Sequence, residues 1–332
     1  MTQQPYDVVG IGNAIVDVLS PADDAFLQQE ALEKGVMTLI DAQRAESLYN
    51  AMGPGREVSG GSVANTMVGL AQLGSRAAFI GKVRNDQLGG IFRHDIRASG
   101  VAFETPAAMT GEPTARCLIL VTPDAQRTMN TFLGASVQIA PEDVDTTTIA
   151  ASKITYLEGY LWDAPPAKAA FLRAAETAHD AGGEVALSLS DPFCVDRHRE
   201  SFLDLVAGHV DLLFANEQEI LSLYQVTTFD EALEKVRGHC KVAALTRSEK
   251  GSIILSGDDM HVIDAEPVQK VVDTTGAGDL YAAGFLHGYA QGLDLATCGR
   301  LGAIAAAEII SHYGARPETS LKELAKTRLG IN

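Results

Sequence analysis

A chain of 332 residues with 46% hydrophobic content is long enough for one large α/β domain with an appendage, and its formal charge of −17 excludes broad nucleic-acid binding. No apolar run reaches the length that crossing a bilayer requires, and the stretch from Met1 to Asp7 has neither the basic region nor the apolar core of a signal peptide, so a cytoplasmic protein is expected. Cys117, Cys194, Cys240 and Cys298 lack Cys-x-x-Cys spacing and read as core thiols in a reducing compartment, not as a zinc or disulfide framework.

In chain order, a strand over Tyr6–Ile11 runs into Gly12-Asn13-Ala14-Ile15-Val16-Asp17. An Asp directly after a Val-rich run is costly to bury without a partner, so Asn13 and Asp17 are candidate ligand contacts; the alternative is a strand end that opens a turn. Ser59-Gly60-Gly61 then leads into a helix expected over Ser62–Leu73, where Ser62 fits an N-cap equally well. A strand at Ala77–Ile80 and a helix at Gln87–Ser99 follow. Two regions break the alternation of strand and helix: Ile15–Ser20 with Met37–Ile40, and Ala115–Thr122 with Arg127–Leu133, are β-like pieces. Arg127 follows a turn at Pro123-Asp124-Ala125-Gln126, where a surface Arg is the default.

Further on, strands are expected at Lys153–Glu158, Glu184–Leu189, Val210–Phe214, Val242–Thr246 and Ser252–Leu255. Helices are expected at Pro165–Ala181, Glu217–Tyr224, Phe229–Arg237, Gly278–Gln291 and Ala296–Ser311, with a short helix after Pro317. This order indicates a parallel sheet covered on both faces, with ligands at the carboxyl ends of its strands, where Asn13, Gly60, Asn216 and Gly276 fall. Asn216 and Glu219 are three residues apart and share one helix face. They suit either the orientation of metal-bound water or an ordinary N-cap beside a surface Glu.

The stretch Val271 to Asp279 carries the most chemistry. A β-like pair, Val271-Val272, leads into Asp273-Thr274-Thr275-Gly276-Ala277-Gly278-Asp279, and a small-residue helix follows. Backbone N–H groups of Gly276, Ala277 and Gly278 then lie at a helix N-terminus, which favours an anion, and the two glycines let a phosphoryl group approach closely. Asp279 is placed to accept a proton from an attacking hydroxyl. The plainer alternative is a tight turn with Asp279 capping the helix.

The run Asp273 to Asp279 resembles the Asp-Thr-x-Gly-Ala-Gly-Asp signature of the ribokinase/PfkB family of sugar and nucleoside kinases. Val8 to Asp17, Ser59 to Thr66 and Asn216-Glu217-Gln218-Glu219 are similar to its other marks, in the same order. Glu158-Gly159-Tyr160-Leu161 and Leu187 to Phe193 resemble nucleoside-specific members, the bacterial adenosine kinases above all. The resemblance implies a ribokinase-like three-layer α/β/α fold with a mostly parallel central sheet and a small β lid. Residues 1–14, 61–104 and 137–332 would form the large domain, and 15–60 with 105–136 a discontinuous lid.

It further implies ATP-dependent phosphorylation of the 5′-hydroxyl of a nucleoside, adenosine first, with a ribokinase-like sugar kinase or an inosine or guanosine kinase as the alternative. Asp17 and Asn65 would hold ribose hydroxyls, with Asn13, Gly60, Gly61 and Ser62 beside the sugar. Leu39, Leu133 and Leu161, with Ile15, Met37 and Tyr160, would surround the base. ATP would contact Asn216, Thr246, Ser248, Gly251, Thr274, Gly276 and Gly278, with Mg²⁺ near Glu219 through water and K⁺ near the Asp273 loop. Arg127 would reach the transferring phosphate, and Asp279 would act as the base. Nucleic acid and membrane are not expected partners, and the assembly is a monomer or a homodimer.

Two positions depart from the family pattern: Thr275 stands where adenosine kinases commonly carry Asn, and Ser248 where many members have Gly. Other classes fit less well. Gly10-Ile11-Gly12-Asn13-Ala14-Ile15 lacks the third glycine of a dinucleotide fingerprint, and Gly60-Gly61-Ser62-Val63-Ala64 lacks the final glycine of a nucleophile elbow. A noncatalytic binding module would have little reason to keep Asp279.

Overall fold

Strands whose residues are apolar on both faces set the architecture. In the computed structural model, residues 5–124 and 126–331 are described; Met1 to Gln4, Ala125 of the expected turn, and Asn332 lie outside the described residues. The first part of the chain forms β1 (Tyr6–Ile11), β2 (Ile15–Pro21), α1 (Asp24–Gln29), β3 (Met37–Leu39), α2 (Ala42–Ala51), β4 (Arg56–Gly60), α3 (Ser62–Leu73), β5 (Ala77–Ile80) and α4 (Gln87–Ala98). The middle adds β6 (Ala115–Val121), β7 (Arg127–Phe132), α5 (Thr146–Ala150), β8 (Ser152–Glu158), α6 (Pro165–Asp180), β9 (Glu184–Ser188), α7 (Pro192–His209) and β10 (Leu212–Asn216). The last part contains α8 (Glu217–Tyr224), α9 (Phe229–Val236), β11 (Val242–Thr246), β12 (Ser252–Ser256), β13 (Asp259–Ile263), α10 (Ala277–Ala290), α11 (Leu295–Ile309) and α12 (Leu321–Leu329).

Eight strands form one sheet in the order β13-β12-β11-β10-β9-β8-β1-β5, parallel from β11 to β5 and antiparallel at β12 and β13. Alternate side chains feed two cores. Val8 and Phe214 pack with residues of α3, α10 and α11, whereas Val9, Ile11 and Leu213 pack with residues of α6, α7 and α8. The result is the expected three-layer α/β/α arrangement. A second sheet, β3-β7-β6-β2-β4, is built from strands that all fall within 15–60 and 105–136. It joins the main body where β1 passes into β2 and where β4 ends at Gly60 ahead of α3. No helix among the described residues is long and apolar enough to cross a membrane.

Several elements differ from the sequence reading. The pair Val271-Val272 is not a strand; the Val272 N–H instead bonds the Ile310 carbonyl at 2.8 Å. Strand β10 starts two residues later than expected because α7 continues to His209 and Val210 is its C-cap. Helix α7 was not anticipated: it bends at His198, where φ is −129°, and the bend interrupts its apolar stripe. Strands β4 and β13 also went unread, since one carries Arg56 and Glu57 and the other is largely exposed.

The small residues after Asp279 answer to a packing constraint. Gly284 of α10 lies so near α11 that a Cβ there would sit 2.3 Å from the Leu301 carbonyl oxygen, and Ala282 and Ala283 are buried on either side of α10. In an exposed helix, Gly→Ala stabilises by about 1 kcal/mol. At Gly284 the sign should reverse: Gly284→Ala is expected to lower stability by about 2 kcal/mol, the cost of overpacking against backbone. Thermal denaturation reads this, and a melting temperature at or above that of the parent protein would contradict the packing argument.

Candidate active site

Loops at the carboxyl ends of the parallel strands and the inner face of the small sheet enclose a cleft of about 390 Å³. Fourteen of the expected site residues line it: Ile15, Asp17, Gly61, Ser62, Asn65, Tyr160, Asn216, Glu219, Thr246, Thr274, Gly276, Ala277, Gly278 and Asp279. Each is set by local structure. Gly276 is the N-cap of α10 at φ +80°, a left-handed conformation that glycine adopts without strain. Gly61, the N-cap of α3, has φ +103°, and a Cβ there would meet the Asn13 carbonyl oxygen at 2.1 Å. Gly278 has no protein atom within 4 Å of its Cβ position, so the first turn of α10 faces open cleft.

One detail of the anion reading changes. The Ala277 N–H is taken by the Thr274 carbonyl at 3.2 Å, while those of Gly276, Gly278 and Asp279 have no protein acceptor among the described residues. These three, at the positive end of α10, are the donors available to an anion.

Asp279 is half-buried at the cleft floor. Its Oδ1 accepts from Ser62 Oγ at 2.6 Å and its Oδ2 from Asn65 Nδ2 at 3.0 Å. Burial raises its pKa to about 6, opposed by those two hydrogen bonds and by the positive charge of Arg316. Asp17 is also raised to about 6 by burial, against the pull of Arg316 and Arg127, and Asp279 adds to the rise. Asn65 is buried, and its Oδ1 has no hydrogen-bond partner among the described residues. Asp17, Asn65 and Asp279 thus offer three acceptor groups at one end of the cleft, where hydroxyls of a substrate would satisfy them.

At the other end, Glu219 and Asn216 form a reciprocal capping box at the start of α8. Asn216 Oδ1 accepts from the Glu219 N–H at 2.9 Å, and Glu219 accepts from the Asn216 N–H at 2.9 Å and from Asn216 Nδ2 at 2.7 Å. The N-cap reading is therefore realised, yet Glu219 is buried beside the cleft and not on a helix surface. Burial lifts its pKa to about 7. No cluster of three His, Cys, Asp or Glu side chains among the described residues could enclose a metal.

Other expected site residues lie elsewhere. Gly60 stands behind Asp17, and a Cβ there would sit 2.4 Å from the Asp17 Oδ2. Arg127 is buried against the phosphate-type loop, paired with Asp273 and donating to Thr275 Oγ1 at 2.9 Å, without lining the cleft itself. Asn13 is corrected: its amide is spent on Glu158 Oε1 at 2.6 Å, and its carbonyl accepts from Ser136 Oγ at 2.8 Å, so it faces protein instead of ligand. Leu161 is corrected as well. It is fully buried in the core of α6 and α7, because the chain enters a 3₁₀ turn after Glu158, and this turn sends Tyr160 into the cleft in its place. Leu39, 60% exposed on the edge strand β3, Met37 on the same strand, and Leu133 at the start of a 3₁₀ turn do not line the cleft either. Ser248 and Gly251 sit in the turn after β11, beyond Thr246 and outside the cleft wall.

The sequence reading missed several participants. Ile119, Met129 and Phe214 supply apolar wall, with no signal to separate them from ordinary core. Cys117 also lines the cleft, with its thiol pushed up to about 12 by burial, so it stays protonated. Glu158 and Arg316 are the consequential omissions. Glu158 binds Asn13 and the Val63 N–H (3.0 Å), and burial raises its pKa to about 7. Its signal was an acid closing an otherwise apolar strand. Arg316, beside Pro317 near the end of the chain, carried none.

The model of the pfkB family carbohydrate kinases matches residues 36–321. The crystal structure of a probable sugar kinase protein from Rhizobium etli CFN 42 is 53% identical, covers 98% of each chain and superposes with a TM-score of 0.90. The adenosine kinase of Sinorhizobium meliloti is likewise 53% identical, over 97% of this chain and 99% of that one, with a TM-score of 0.89. A nucleoside kinase of Methanothermobacter thermautotrophicus is 28% identical over 259 residues, 78% of this chain and 80% of the relative.

Four carboxyl groups at the site, Asp17, Asp279, Glu158 and Glu219, have pKa values raised by burial to about 6 or 7. Each holds a proton in the folded state that the unfolded chain releases at lower pH. Their contribution to stability is therefore complete below the unfolded values of 3.8 and 4.5 and is lost as pH rises through 6 to 7. Replacing Glu219 by Gln removes one titrating group; the Gln Oε1 can still accept from the Asn216 N–H, while the bond from Asn216 Nδ2 is lost because an amide NH2 does not accept. A series of melting temperatures from about pH 5 to 7.5 should fall less steeply in Glu219→Gln than in the parent; equal slopes would mean that Glu219 is not buried as described.

Proposed function

The chain belongs to the pfkB family of carbohydrate kinases and is thus a phosphotransferase with an alcohol group as acceptor; from that premise we propose that it transfers the γ-phosphoryl of ATP to the 5′-hydroxyl of adenosine. The observation that carries the reading is the pairing of acceptors and donors across the cleft. Asp17, Asp279 and the unpartnered Asn65 Oδ1 suit the hydroxyls of a ribose, and the N–H groups of Gly276, Gly278 and Asp279, without acceptors among the described residues, suit the phosphate. Ile15, Ile119, Met129, Tyr160 and Phe214 add an apolar wall that a purine would cover and a free sugar would not. The name of the Sinorhizobium relative, an adenosine kinase at 53% identity, supports the same choice.

In this reading, residues 15–60 and 105–136 act as a lid that lies over the nucleoside and keeps water from the phosphoryl donor. Asp17 and Asn65 orient the ribose so that its primary hydroxyl points at Asp279. Asp279 accepts the hydroxyl proton as oxygen attacks the γ-phosphorus and the bond to the leaving ADP oxygen breaks, while the first turn of α10 offsets charge on the transferring group and Arg127, paired with Asp273, braces the loop ahead of it. Glu219 suits Mg²⁺ through water, since its buried carboxylate borders the cleft and no protein cage is present among the described residues. When bound, Mg²⁺ would neutralise charge on the β- and γ-phosphate oxygens. K⁺ fits the Asp273 side chain poorly. Its Oδ1 already accepts from the Thr275 N–H and Oγ1, and its Oδ2 accepts from the Gly314 N–H and pairs with Arg127.

ATP- and Mg²⁺-dependent turnover across adenosine, inosine, guanosine, ribose and fructose tests the proposal. Adenosine should be preferred, and Asp279→Asn should lower kcat by about 10³-fold with adenosine binding retained. Preference for a free sugar would overturn the nucleoside reading, and an active Asp279→Asn enzyme would remove the base. A base is competent only when ionised, so kcat/KM should fall about tenfold per pH unit below the Asp279 pKa of about 6.

A further inference from the structure

Arg316 follows α11 and does not itself line the cleft. Its guanidinium donates to the Ser59 carbonyl from Nε at 3.2 Å and from Nη2 at 2.5 Å, to Ser59 Oγ from Nη2 at 2.9 Å, and to the Ala64 carbonyl from Nη1 at 3.2 Å. Ser59 belongs to β4 of the small sheet and Ala64 to the first turn of α3 in the main body. Between them lie Gly60 and Gly61, where one sheet passes to the other. A single planar side chain therefore grips both sides of that connection.

Both ends of this grip are anchored. Asp95 of α4 holds Ser59 from the opposite side, its Oδ2 accepting from the Ser59 N–H at 2.8 Å and from the hydroxyl at 2.5 Å. The segment that carries Arg316 is itself fixed to the phosphate-type loop: Ile310 O accepts from the Val272 N–H, and the Gly314 N–H donates to Asp273 Oδ2 at 3.0 Å. Arg316 forms no ion pair with a carboxylate among the described residues, yet it lies within the fields of Asp95, Asp17 and Asp279. The charged and titratable groups around Asp279 are Arg316 from the loop after α11, Asp17 from β2 and Glu158 from β8, with Tyr156 and Tyr160 neutral beside them. Arg127 from β7 acts on Asp17.

We propose that Arg316 is a positioning residue that, without touching substrate, fixes the angle of the small sheet across Gly60-Gly61 and the start of α3, from which Ser62 and Asn65 reach Asp279. The charge of Arg316, which opposes the burial of Asp279 less than the Ser62 and Asn65 hydrogen bonds do, adds a second effect that rests on Asp279 being the base; the positioning does not. The two separate by chemistry. A lysine preserves the charge, but one ammonium cannot span the Ser59 and Ala64 carbonyls as the guanidinium fork does. A glutamine removes the charge.

The experiment measures kcat and KM for adenosine against pH in the parent enzyme, Arg316→Lys and Arg316→Gln, with melting temperatures alongside. Arg316→Gln should move the acid limb of kcat/KM upward by about half a pH unit, and Arg316→Lys should leave the limb in place while raising KM about tenfold. A role in stability alone would lower the melting temperatures and leave both limb and KM unchanged. An unmoved limb in folded Arg316→Gln overturns the electrostatic effect, and a parental KM in Arg316→Lys overturns the hinge effect. Should Arg316→Gln not fold, the KM of Arg316→Lys decides the proposal. A parent enzyme with no acid limb would refute the base reading, while the KM comparison would still judge the hinge.

Discussion

The carboxylate of Asp279, held between two helices at the positive end of one of them, is the contact on which the site depends. Ser62 and Asn65 reach it from the first turn of α3, and Thr66 Oγ1 bonds its backbone carbonyl at 3.1 Å. Those short side chains meet Asp279 only because α3 and α10 nearly touch: a Cβ on Gly69 would sit 2.7 Å from the Ala283 Cβ. The start of α3 is fixed in turn by Glu158, which accepts from the Val63 N–H and from Asn13. An unbroken path of hydrogen bonds thus runs from the end of β8 through α3 to Asp279. In that path Asn13 and Glu158 hold the frame that presents Ser62 and Asn65, which gives a physical reason for an amide and a buried acid in so apolar a setting.

Charge imposes the second constraint. A chain of net charge −17 repels phosphate at long range, and its cleft gathers Asp17, Asp279 and Glu219. Attraction therefore has to be local. Backbone N–H groups of Gly276, Gly278 and Asp279 supply part of it without adding a titratable group, and the charges of Arg316 and Arg127 act on Asp17. The raised pKa values of the acids belong to the same balance: burial disfavours their charged forms, and the proton-accepting role proposed for Asp279 gains from a pKa moved nearer to neutrality.

How much of this was legible depended on whether the information was local. The loop from Asp273 to Asp279 could be read because glycines, a helix start and an acid within seven residues define a phosphate-type turn by themselves. The eight-stranded sheet was largely legible from its doubly buried strands. The small sheet was harder, since β4 carries adjacent charges and its pairing with β2 joins residues far apart in sequence. Leu161 and Tyr160 show the limit most plainly. Continuing β8 in extended form puts one residue toward the ligand, whereas the 3₁₀ turn that forms there presents its neighbour, and apolar character cannot tell these apart. Arg316 was invisible because its partners lie about 250 positions away, and nothing in Gly314-Ala315-Arg316-Pro317 announces them.

The two departures from the family pattern acquire a meaning once the backbone is known. Ser248 occupies a position with φ +52°, in the left-handed region that glycine enters freely and other residues enter at a cost of about 1 kcal/mol. The slot is shaped for glycine, and the turn around it, closed by bonds from the Arg247 N–H to Gly251 O and from the Gly251 N–H to Ser248 O, holds serine there nonetheless. Thr275 donates to Asp273 Oδ1 and accepts from Arg127, so one hydroxyl joins the acid of the loop to the arginine of the lid. Ser248 lies outside the cleft wall in a turn whose N–H groups bond within it, and at Thr275 the exchanged side chain steadies Arg127 while the donors that follow belong to the backbone. A side-chain replacement leaves backbone donors where they were, and for that reason these positions can vary while Gly276, whose conformation sets the direction of the donors, has no such latitude.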